Sequence, residues 1–388
     1  MPDNYLEKRD RAYVDKSNKL LEGLPYYVKQ FYDAKKSAKK ELTRYAYVQD
    51  IKAFLEYLSP IHHCDVKDFP VEILENLSVQ DIDEYKSVLL DNYAKASAKR
   101  KLASLSSFYK YLILAGFVKN NPTAIIDWPS EDKSKTIVYL DDEQTARLLS
   151  GILQNDKQLF YLNDYGDMNM SSIMEKGAVK GAAKNKYTDY IVKDIDETTR
   201  NRREKVKLRN FVITLLFLKT GIRVSELVSI DLQDIDWRDT IINVTGKGGK
   251  TRPVGFGEEI LVNTLKEYIA GERKALTKSN PGEQALFVST RGKRISVKQV
   301  ETMIKEMVQT YLADDETIRH EDFSPHKLRS TCATRLLRET GNIKAVADLL
   351  GHESIEITSR NYAKLHEREN AQLMQAYEAY KPVPETKK

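Results

Sequence analysis

The spacing of apolar residues in the first third of the chain limits the fold most strongly, because it repeats with the period of a helix. Residues 38–58 carry apolar side chains three and four positions apart, which places them on one helical face. Ser78 is a predicted N-cap for a second helix over residues 79–90, and Gly116 ends a third over residues 97–115. The sequence therefore predicts a purely helical domain at the amino-terminal end.

Prolines and a polar run mark a boundary after this helical region. The pairs Asn121-Pro122 and Trp128-Pro129 break the helical pattern, and the segment that follows them is polar. A chain of 388 residues is long enough for two domains. The predicted division is a helical domain over residues 1–129, a linker over 130–137 and a second domain over 138–388.

The second domain is predicted to combine helices with two short strands. Residues 141–143 are acidic and suit the first turn of a helix, while residues 240–244 and 251–254 form a predicted hairpin. Residues 154–194 show weak periodicity, so we interpret them as an insertion. An apolar stripe over residues 366–380 predicts a final helix.

Bulk composition excludes several functional classes. No apolar run approaches the ~20 residues that a membrane-spanning helix requires, and the start Met1-Pro2-Asp3-Asn4 lacks a signal-peptide pattern, so we expect a cytoplasmic protein without a membrane partner. Two cysteines, Cys64 and Cys332, cannot build a disulfide framework or a cysteine-based zinc site. His62 and His63 lie beside Cys64 without further ligands at a usable spacing, so we predict no metal site. Cys332 has apolar neighbours, which favour a place in the core.

The net charge is only mildly positive, so the placement of charge matters more than its sum. The formal net charge is +5, yet the interval between Asp91 and Asp127 contains several basic residues and no acidic one. Such a footprint is typical of surfaces that bind a phosphate backbone, although a solvated helix face gives the same pattern. The DNA-contact candidates, two of them in the later hairpin, are Lys95, Lys99, Arg100, Lys101, Lys110, Lys250 and Arg252.

Two short clusters in the middle of the second domain carry side chains that suit phosphate chemistry. In the first, Gly221 ends an apolar helix, and Arg223 stands three residues before Glu226, within reach of an ion pair. In the second, Lys247 lies in the glycine-rich turn between the two predicted strands. Each cluster alone also fits an ordinary interpretation: a surface arginine beside a capping glutamate, and a solvated turn.

Two further clusters follow towards the carboxyl-terminal end. His326 and Arg329 lie three positions apart in a helix that Ser324-Pro325 is predicted to begin, and the positive end of a helix is a natural anion site. The segment Leu349-Leu350-Gly351-His352 is followed ten residues later by Tyr362.

Taken in this order, the four clusters resemble the tyrosine recombinase (phage integrase) family. That family has an Arg before Ser-Glu-Leu, a Lys in a glycine-rich hairpin, His-x-x-Arg, Leu-Gly-His and then Tyr. Residues of about 38–129 are similar to its helical core-binding domain, and residues 138–380 to its catalytic domain. Within the family the chain looks most like the Xer branch, and Leu24–Val28 is similar to the single-recombinase Xer type of Gram-positive bacteria. The resemblance implies a mainly α fold, with a SAM-like core-binding domain and an α-rich catalytic domain that carries a small antiparallel sheet.

The resemblance also implies how this chain would cut DNA without a metal or a cofactor. Tyr362 would be the nucleophile that forms a 3′-phosphotyrosyl bond, which conserves the energy of the broken bond. His326 would be the general base towards the tyrosine proton, and Lys247 the general acid for the departing 5′-oxygen. Tyr362 lies ten residues beyond His352, whereas many members of the family have nine.

The remaining site residues would handle charge. Arg223 and Arg329 are planar, permanently charged forks that suit the non-bridging oxygens of a phosphodiester. His352 would donate a further hydrogen bond to those oxygens. Glu226 would position Arg223.

The implied partners are two double-stranded DNA sites, joined by a homotetramer of a chain that is a monomer or weak dimer when free. An accessory DNA translocase is a further expected partner. The helix over 366–380 would dock on a neighbouring subunit, or alternatively pack on its own domain. Two biological tasks are open: chromosome-dimer resolution at a dif-like site, or integration and excision of a mobile element. A catalytically silent DNA-binding protein is the alternative from a different class.

Overall fold

The computed structural model describes residues 5–129, 138–153, 204–246, 249–320 and 323–351. The chain divides into two compact units, Met1–Lys135 and Thr136–Lys388. The predicted linker over 130–137, the insertion over 154–194 and the helix over 366–380 lie outside the described residues.

The first unit is helical, as predicted. Its six α-helices pack around a core of aromatic and aliphatic side chains, in which Phe31 meets Phe108 edge to face with ring centroids 5.3 Å apart. A short 3₁₀ turn, Pro122–Ala124, follows the last helix. The helices are α1 Tyr5–Leu21, α2 Tyr26–Ala34, α3 Glu41–Ile61, α4 Val71–Asn76, α5 Val79–Asn92 and α6 Lys95–Leu114.

Local signals place the helix ends of this unit. The Ser78 hydroxyl accepts from the backbone N–H of Asp81 at 3.3 Å, and the Asp81 carboxylate accepts from the Ser78 N–H at 2.7 Å, so the predicted cap is confirmed. Helix α3 runs three residues beyond its predicted end. It passes through Pro60, whose ring nitrogen cannot donate to the preceding turn, and it ends one residue later.

A buried carboxylate joins helices α3 and α6. Asp50 of α3 is 4% exposed and accepts from the guanidinium of Arg100 at 2.9 Å, from the Lys101 ammonium at 3.1 Å and from the Ser104 hydroxyl at 2.7 Å. All three donors come from consecutive turns of α6. Because a buried charge is stable only when its oxygens are paired, Asp50 fixes how α6 lies against α3.

The second unit is built around one apolar helix. Every residue from Phe211 to Leu218 is buried, and the helix that contains them contacts three others in the unit. The helices are α7 Asp142–Leu153, α8 Lys207–Thr220, α9 Val224–Leu227, α10 Glu259–Tyr268, α11 Lys274–Leu276, α12 Val297–Tyr311, α13 Pro325–Thr340 and α14 Ile343–Leu350; a 3₁₀ turn, Leu232–Asp234, and a π-helical turn, Ile269–Arg273, complete them. The apolar helix is α8, and it packs against α7, α10 and α13.

A three-stranded antiparallel sheet lies between α9 and α10 in the chain. Its strands are β1 Ile235–Asp236, β2 Ile241–Thr245 and β3 Thr251–Gly255, in the order β1-β2-β3. In the register of the predicted hairpin, Val244 stands opposite Arg252 and Asn243 opposite Pro253. Pro253 is tolerated because β3 is an edge strand. None of the helices in the described ranges combines the length and apolar composition needed to cross a membrane.

Candidate active site

A left-handed turn places Arg223 at the start of a helix. Helix α8 ends at Gly221, whose φ of 56° favours glycine. A side chain there would also bring its Cβ within 2.8 Å of the Leu350 side chain, so Gly221 lets helix α14 approach closely. The chain then turns into α9, with Arg223 at the N-cap position and Glu226 in the first turn.

Glu226 is the buried anion of this region, with 2% of its surface exposed. Its carboxylate accepts from the backbone N–H of Arg223 at 3.0 Å, from the Arg223 guanidinium at 2.9 Å and from the Arg252 guanidinium at 3.1 Å. Burial alone would raise the pKa of Glu226, but the Arg223 N–H and the charge of Arg252 outweigh it and lower that pKa. Glu226 is therefore ionised and holds both arginines in place.

Arg329 occupies the core of the same cluster. It lies on α13 and is 4% exposed, and its guanidinium donates to the carbonyl of Gly221 and, at 2.5 Å, to the carbonyl of Leu350. Burial and the like charge of Arg223 lower the pKa of Arg329 to about 10. The side chain is charged at neutral pH and has no carboxylate within ion-pair distance in the described part of the chain.

Arg223, Arg252 and Arg329 each donate a hydrogen bond to one of three consecutive backbone carbonyls at the end of helix α14. Arg252 donates to the carbonyl of Leu349 at 3.3 Å, Arg329 to that of Leu350 at 2.5 Å and Arg223 to that of Gly351 at 3.1 Å. These carbonyls are the negative end of the helix, where cations are stabilised. The arginines come from α9, β3 and α13, so this turn joins three separate segments of the unit.

His326 lies in the first turn of α13, one turn before Arg329. Its ring is partly exposed to solvent. Partial burial, and then the charge of Arg329, lower the pKa of the imidazole below its usual range. The ring is therefore neutral at pH 7 and able to accept a proton. Ser324 is extended and precedes Pro325 at the first helical position, as predicted, but its hydroxyl makes no cap hydrogen bond to this helix.

The structure thus brings together four of the seven predicted site residues: Arg223, Glu226, His326 and Arg329. Lys247, His352 and Tyr362 lie outside the described residues. In sequence His352 directly follows the turn that the arginines hold, and Lys247 follows β2 by two residues.

The seven predicted DNA-contact residues have different surroundings. Lys95, Lys110 and Lys250 are exposed. Arg100 and Lys101 pair with Asp50, and the Lys101 ammonium also lies over the ring of Tyr93 at 4.8 Å from its centroid. Contact of these residues with DNA stays a prediction. Of the remaining two candidates, Arg252 is turned towards Glu226, and Lys99 lies on α6 beside Arg100.

Two features, one in each unit, lie outside the sequence predictions. The place of Arg252 follows from strand alternation, since Val254, two residues on, is buried on the same face. In the first unit, burial and then the charges of Lys39 and Lys110 lower the pKa of Lys35. No sequence signal links positions so far apart in the chain.

Neither a group of metal-ligating side chains nor a reactive cysteine is found among the described residues. Within the described ranges no three His, Cys, Asp or Glu side chains come together as a metal site requires. Cys332 is buried, as predicted, and burial raises the pKa of its thiol to about 12. A protonated, enclosed thiol is a packing residue and not a nucleophile.

Comparison with known families gives this cluster a context. Residues 189–369 match the model of the phage integrase family, and residues 28–116 match the model of the phage integrase N-terminal SAM-like domain. The first stretch contains all six residues predicted as catalytic. The chain belongs to the phage integrase family and is a tyrosine recombinase of the Xer type.

Similar proteins of known name span most of the chain. The tyrosine recombinase XerS of Streptococcus thermophilus (strain CNRZ 1066) is 28% identical over 360 residues, which cover 86% of this chain and 90% of that protein. The tyrosine recombinase XerC of Caldanaerobacter subterraneus subsp. tengcongensis is 28% identical over 328 residues, covering 81% and 75%. The chain is accordingly a site-specific DNA recombinase.

Solved structures share the fold. The XerH site-specific recombinase bound to a palindromic difH substrate has a TM-score of 0.56 at 16% identity, covering 92% of this chain and 96% of that one. The Tn1549 transposon integrase in complex with circular intermediate DNA has a TM-score of 0.57 at 18% identity, covering 86% and 94%. These neighbours support the predicted mainly α fold with its SAM-like domain.

Proposed function

We propose that this recombinase joins two DNA sites through a 3′-phosphotyrosyl intermediate on Tyr362, and that its task is chromosome-dimer resolution at a dif-like site. The observation that carries the catalytic part is the arginine cluster. The guanidinium groups of Arg223 and Arg252 pair with the carboxylate of Glu226, and Arg329 lies near enough for the charges of all three to affect its pKa. Three positive charges against one negative charge leave an excess of two, which suits an anion with a doubly charged transition state.

The proposed steps combine the described cluster with three predicted residues that lie outside the described ranges, Lys247, His352 and Tyr362. Tyr362 attacks the phosphorus and loses its proton to His326, whose lowered pKa keeps the ring neutral and able to accept. Arg223 and Arg329, with His352, stabilise the non-bridging oxygens. Lys247 protonates the departing 5′-oxygen. The same cleavage on the partner duplex releases a second 5′-hydroxyl. This hydroxyl attacks the phosphorus of the phosphotyrosyl bond, so the steps run in reverse, the strands are joined and Tyr362 is released.

The expected partners are two double-stranded DNA sites. The XerH structure contains a palindromic difH substrate, and the XerS and XerC relatives carry the names of Xer recombinases. These support a dif-like site for this chain. A homotetramer on DNA, a monomer or weak dimer in its absence, and an accessory DNA translocase complete the proposed assembly.

A mobile-element integrase is the second candidate. The Tn1549 transposon integrase is as similar in fold as XerH, with TM-scores of 0.57 and 0.56. The fold therefore does not separate the two tasks, and the names of the relatives favour the first. Selection of the tightest-binding duplex from random sequence would separate them: a single chromosomal match near the replication terminus supports resolution, and matches at the ends of a mobile element support integration.

A trapping assay tests the chemistry. The selected duplex is nicked beside the cleavage position, so that a cut strand diffuses away and the covalent protein–DNA adduct accumulates. Wild-type chain should form the adduct. Tyr362→Phe keeps the ring and removes only the attacking oxygen, so it should bind the duplex with wild-type affinity and form none. An adduct in that variant would refute the choice of nucleophile, and a wild-type chain that binds without cutting would indicate a silent DNA-binding protein.

A truncation tests the assembly. A chain that ends at Asn370 lacks most of the apolar stripe predicted over 366–380. If that segment docks on a neighbouring subunit, the truncated chain should bind one half-site normally but lose cooperative loading of the second. Wild-type cooperativity and recombination would contradict a docking role, and so would a truncated chain that unfolds.

A further inference from the structure

The side chain of Arg252 points into the second unit, towards the arginine cluster. Arg252 stands opposite Val244 on the edge strand β3, and Val254 on the same face is 4% exposed. Strand alternation therefore sends the Arg252 side chain into the unit, where 23% of it is exposed.

Both arms of the Arg252 fork are occupied within the cluster. One terminal nitrogen donates to the Glu226 carboxylate at 3.1 Å and the other to the carbonyl of Leu349 at 3.3 Å. The third nitrogen, Nε, is buried and has no hydrogen-bond partner in the described part of the chain. Protein acceptors therefore hold the Arg252 fork on both sides, and its side chain is less exposed than that of Arg223, 23% against 36%.

Gly351 makes this course possible. Its φ of 59° belongs to the left-handed region, and a Cβ at that position would lie 3.1 Å from Nε and 3.3 Å from Cδ of Arg252. A side chain on residue 351 would press on the stem of Arg252. Gly351 therefore allows the left-handed turn before His352 and also leaves room for the Arg252 side chain.

Resting on the proposed function, we infer that Arg252 is a positioning residue of the recombinase: it fixes Glu226 and the carbonyl of Leu349 at once, and through them the guanidinium of Arg223. Arg223 shares Glu226 with Arg252 and grips the carbonyl of Gly351, two residues from Leu349. Strand β3 is thereby tied to the turn that leads to His352. A lysine keeps the charge but has one nitrogen, which cannot reach both acceptors in the same geometry.

A double-mutant cycle between Arg252 and Glu226 tests this inference. The variants are Arg252→Gln, Glu226→Gln and both together, in the full chain, with single-turnover cleavage measured on a saturating amount of the nicked duplex selected from random sequence. Misplacement of a charge-stabilising group should slow cleavage about 10²-fold in Arg252→Gln. If Arg252 acts in part through Glu226, the slowing in the double variant should be smaller than the product of the two single effects. Arg252→Lys should fall between wild type and Arg252→Gln.

The same measurements can overturn the inference. A double variant whose slowing equals the product of the two single effects would show that Arg252 acts independently of Glu226. A weaker DNA affinity in Arg252→Gln, with a salt dependence reduced by about one ion, would make Arg252 a phosphate contact. Arg238→Gln is the matched control, since Arg238 is exposed on the turn between β1 and β2, and its cleavage rate should equal that of wild type.

An arm without DNA separates this inference from the proposed function. The same cycle, measured on the free energy of unfolding, reports the Arg252–Glu226 coupling even in a chain that cuts no duplex. Non-additive unfolding free energies support the coupling, and additive ones overturn it. Absence of an adduct in the wild-type chain would refute only the proposed function.

Discussion

Two buried carboxylates in this molecule hold basic side chains in opposite ways. Asp50 in the first unit is 4% exposed and Glu226 in the second is 2% exposed, and each is paired with two cations. The donors to Asp50 all lie on α6, within five residues of one another. The cations on Glu226 come from the start of α9 and from β3.

This difference in donors indicates that Asp50 has a structural role and that Glu226 belongs to a chemical site. At Asp50, the Arg100 side chain is 51% exposed, so water shares its charge and the pair mainly docks one helix on another. At Glu226 the arginines are joined by the buried Arg329, and all three also hold the backbone of residues 349–351. In this cluster the hydrogen bonds fix the orientation of three arginines, and the positive charge exceeds the negative charge. Such an arrangement is suited to bind an anion.

The largest effect that sharpens this comparison belongs to Lys247, the proposed acid on the hairpin that Arg252 anchors. Lys247→Ala should slow cleavage ~10²–10⁴-fold, the range of a positioned general acid. A duplex with a bridging 5′-phosphorothiolate has a leaving group that barely needs a proton, so its cleavage by the variant should be nearly normal. Equal defects on both duplexes would reject the role of Lys247 as acid.

The next effect concerns the arginine that has no carboxylate partner among the described residues. Arg329→Lys keeps the charge but cannot hold the carbonyls of Gly221 and Leu350 together with a phosphate, so single-turnover cleavage should fall ~10²–10³-fold. Arg338→Lys makes the same substitution at an exposed position of the same helix and should cleave at the wild-type rate. A wild-type rate in Arg329→Lys would mean that the fork is dispensable.

A smaller effect is expected from pH. The neutral imidazole of His326 is the form that accepts a proton, and its pKa is lowered in the free protein. The second-order rate of cleavage at limiting DNA reports the free protein, so it should fall on the acid side, with a midpoint below about 6.5. His326→Gln should be slow and should lack this acid limb. A limb that persists in the variant would assign the titration to another group.

Much of the fold could be predicted because its signals are local. The cap at Ser78, the acidic start of α7 and the glycine that ends α8 each depend on a few neighbouring residues, and all three are where the sequence predicts them. The hairpin strands lie one residue from their predicted bounds. Helix α3 exceeds its prediction by three residues because the prediction ended at Leu58, the last residue on its buried face, and the more exposed turn beyond it includes Pro60.

The candidate site was only partly predictable, because its contacts join distant segments. The Arg223–Glu226 pair follows from spacing within one helical turn. The grip of Arg329 on Gly221 and Leu350 spans 108 and 21 residues, and no local pattern encodes it. Arg252 was predicted as a DNA contact from its charge, whereas the burial of Val254 already indicates that its side chain faces inward.

The most direct test of the comparison is the matched pair Asp50→Asn and Glu226→Gln, each of which removes one buried negative charge and little volume. Single-turnover cleavage at saturating DNA and the free energy of unfolding are measured for both. Asp50→Asn should lose about 1–3 kcal/mol of stability and cleave at the wild-type rate once bound. Glu226→Gln should bind DNA and cleave at least ~10²-fold more slowly. Equal cleavage by both variants, or a cleavage defect only in Asp50→Asn, would contradict the account.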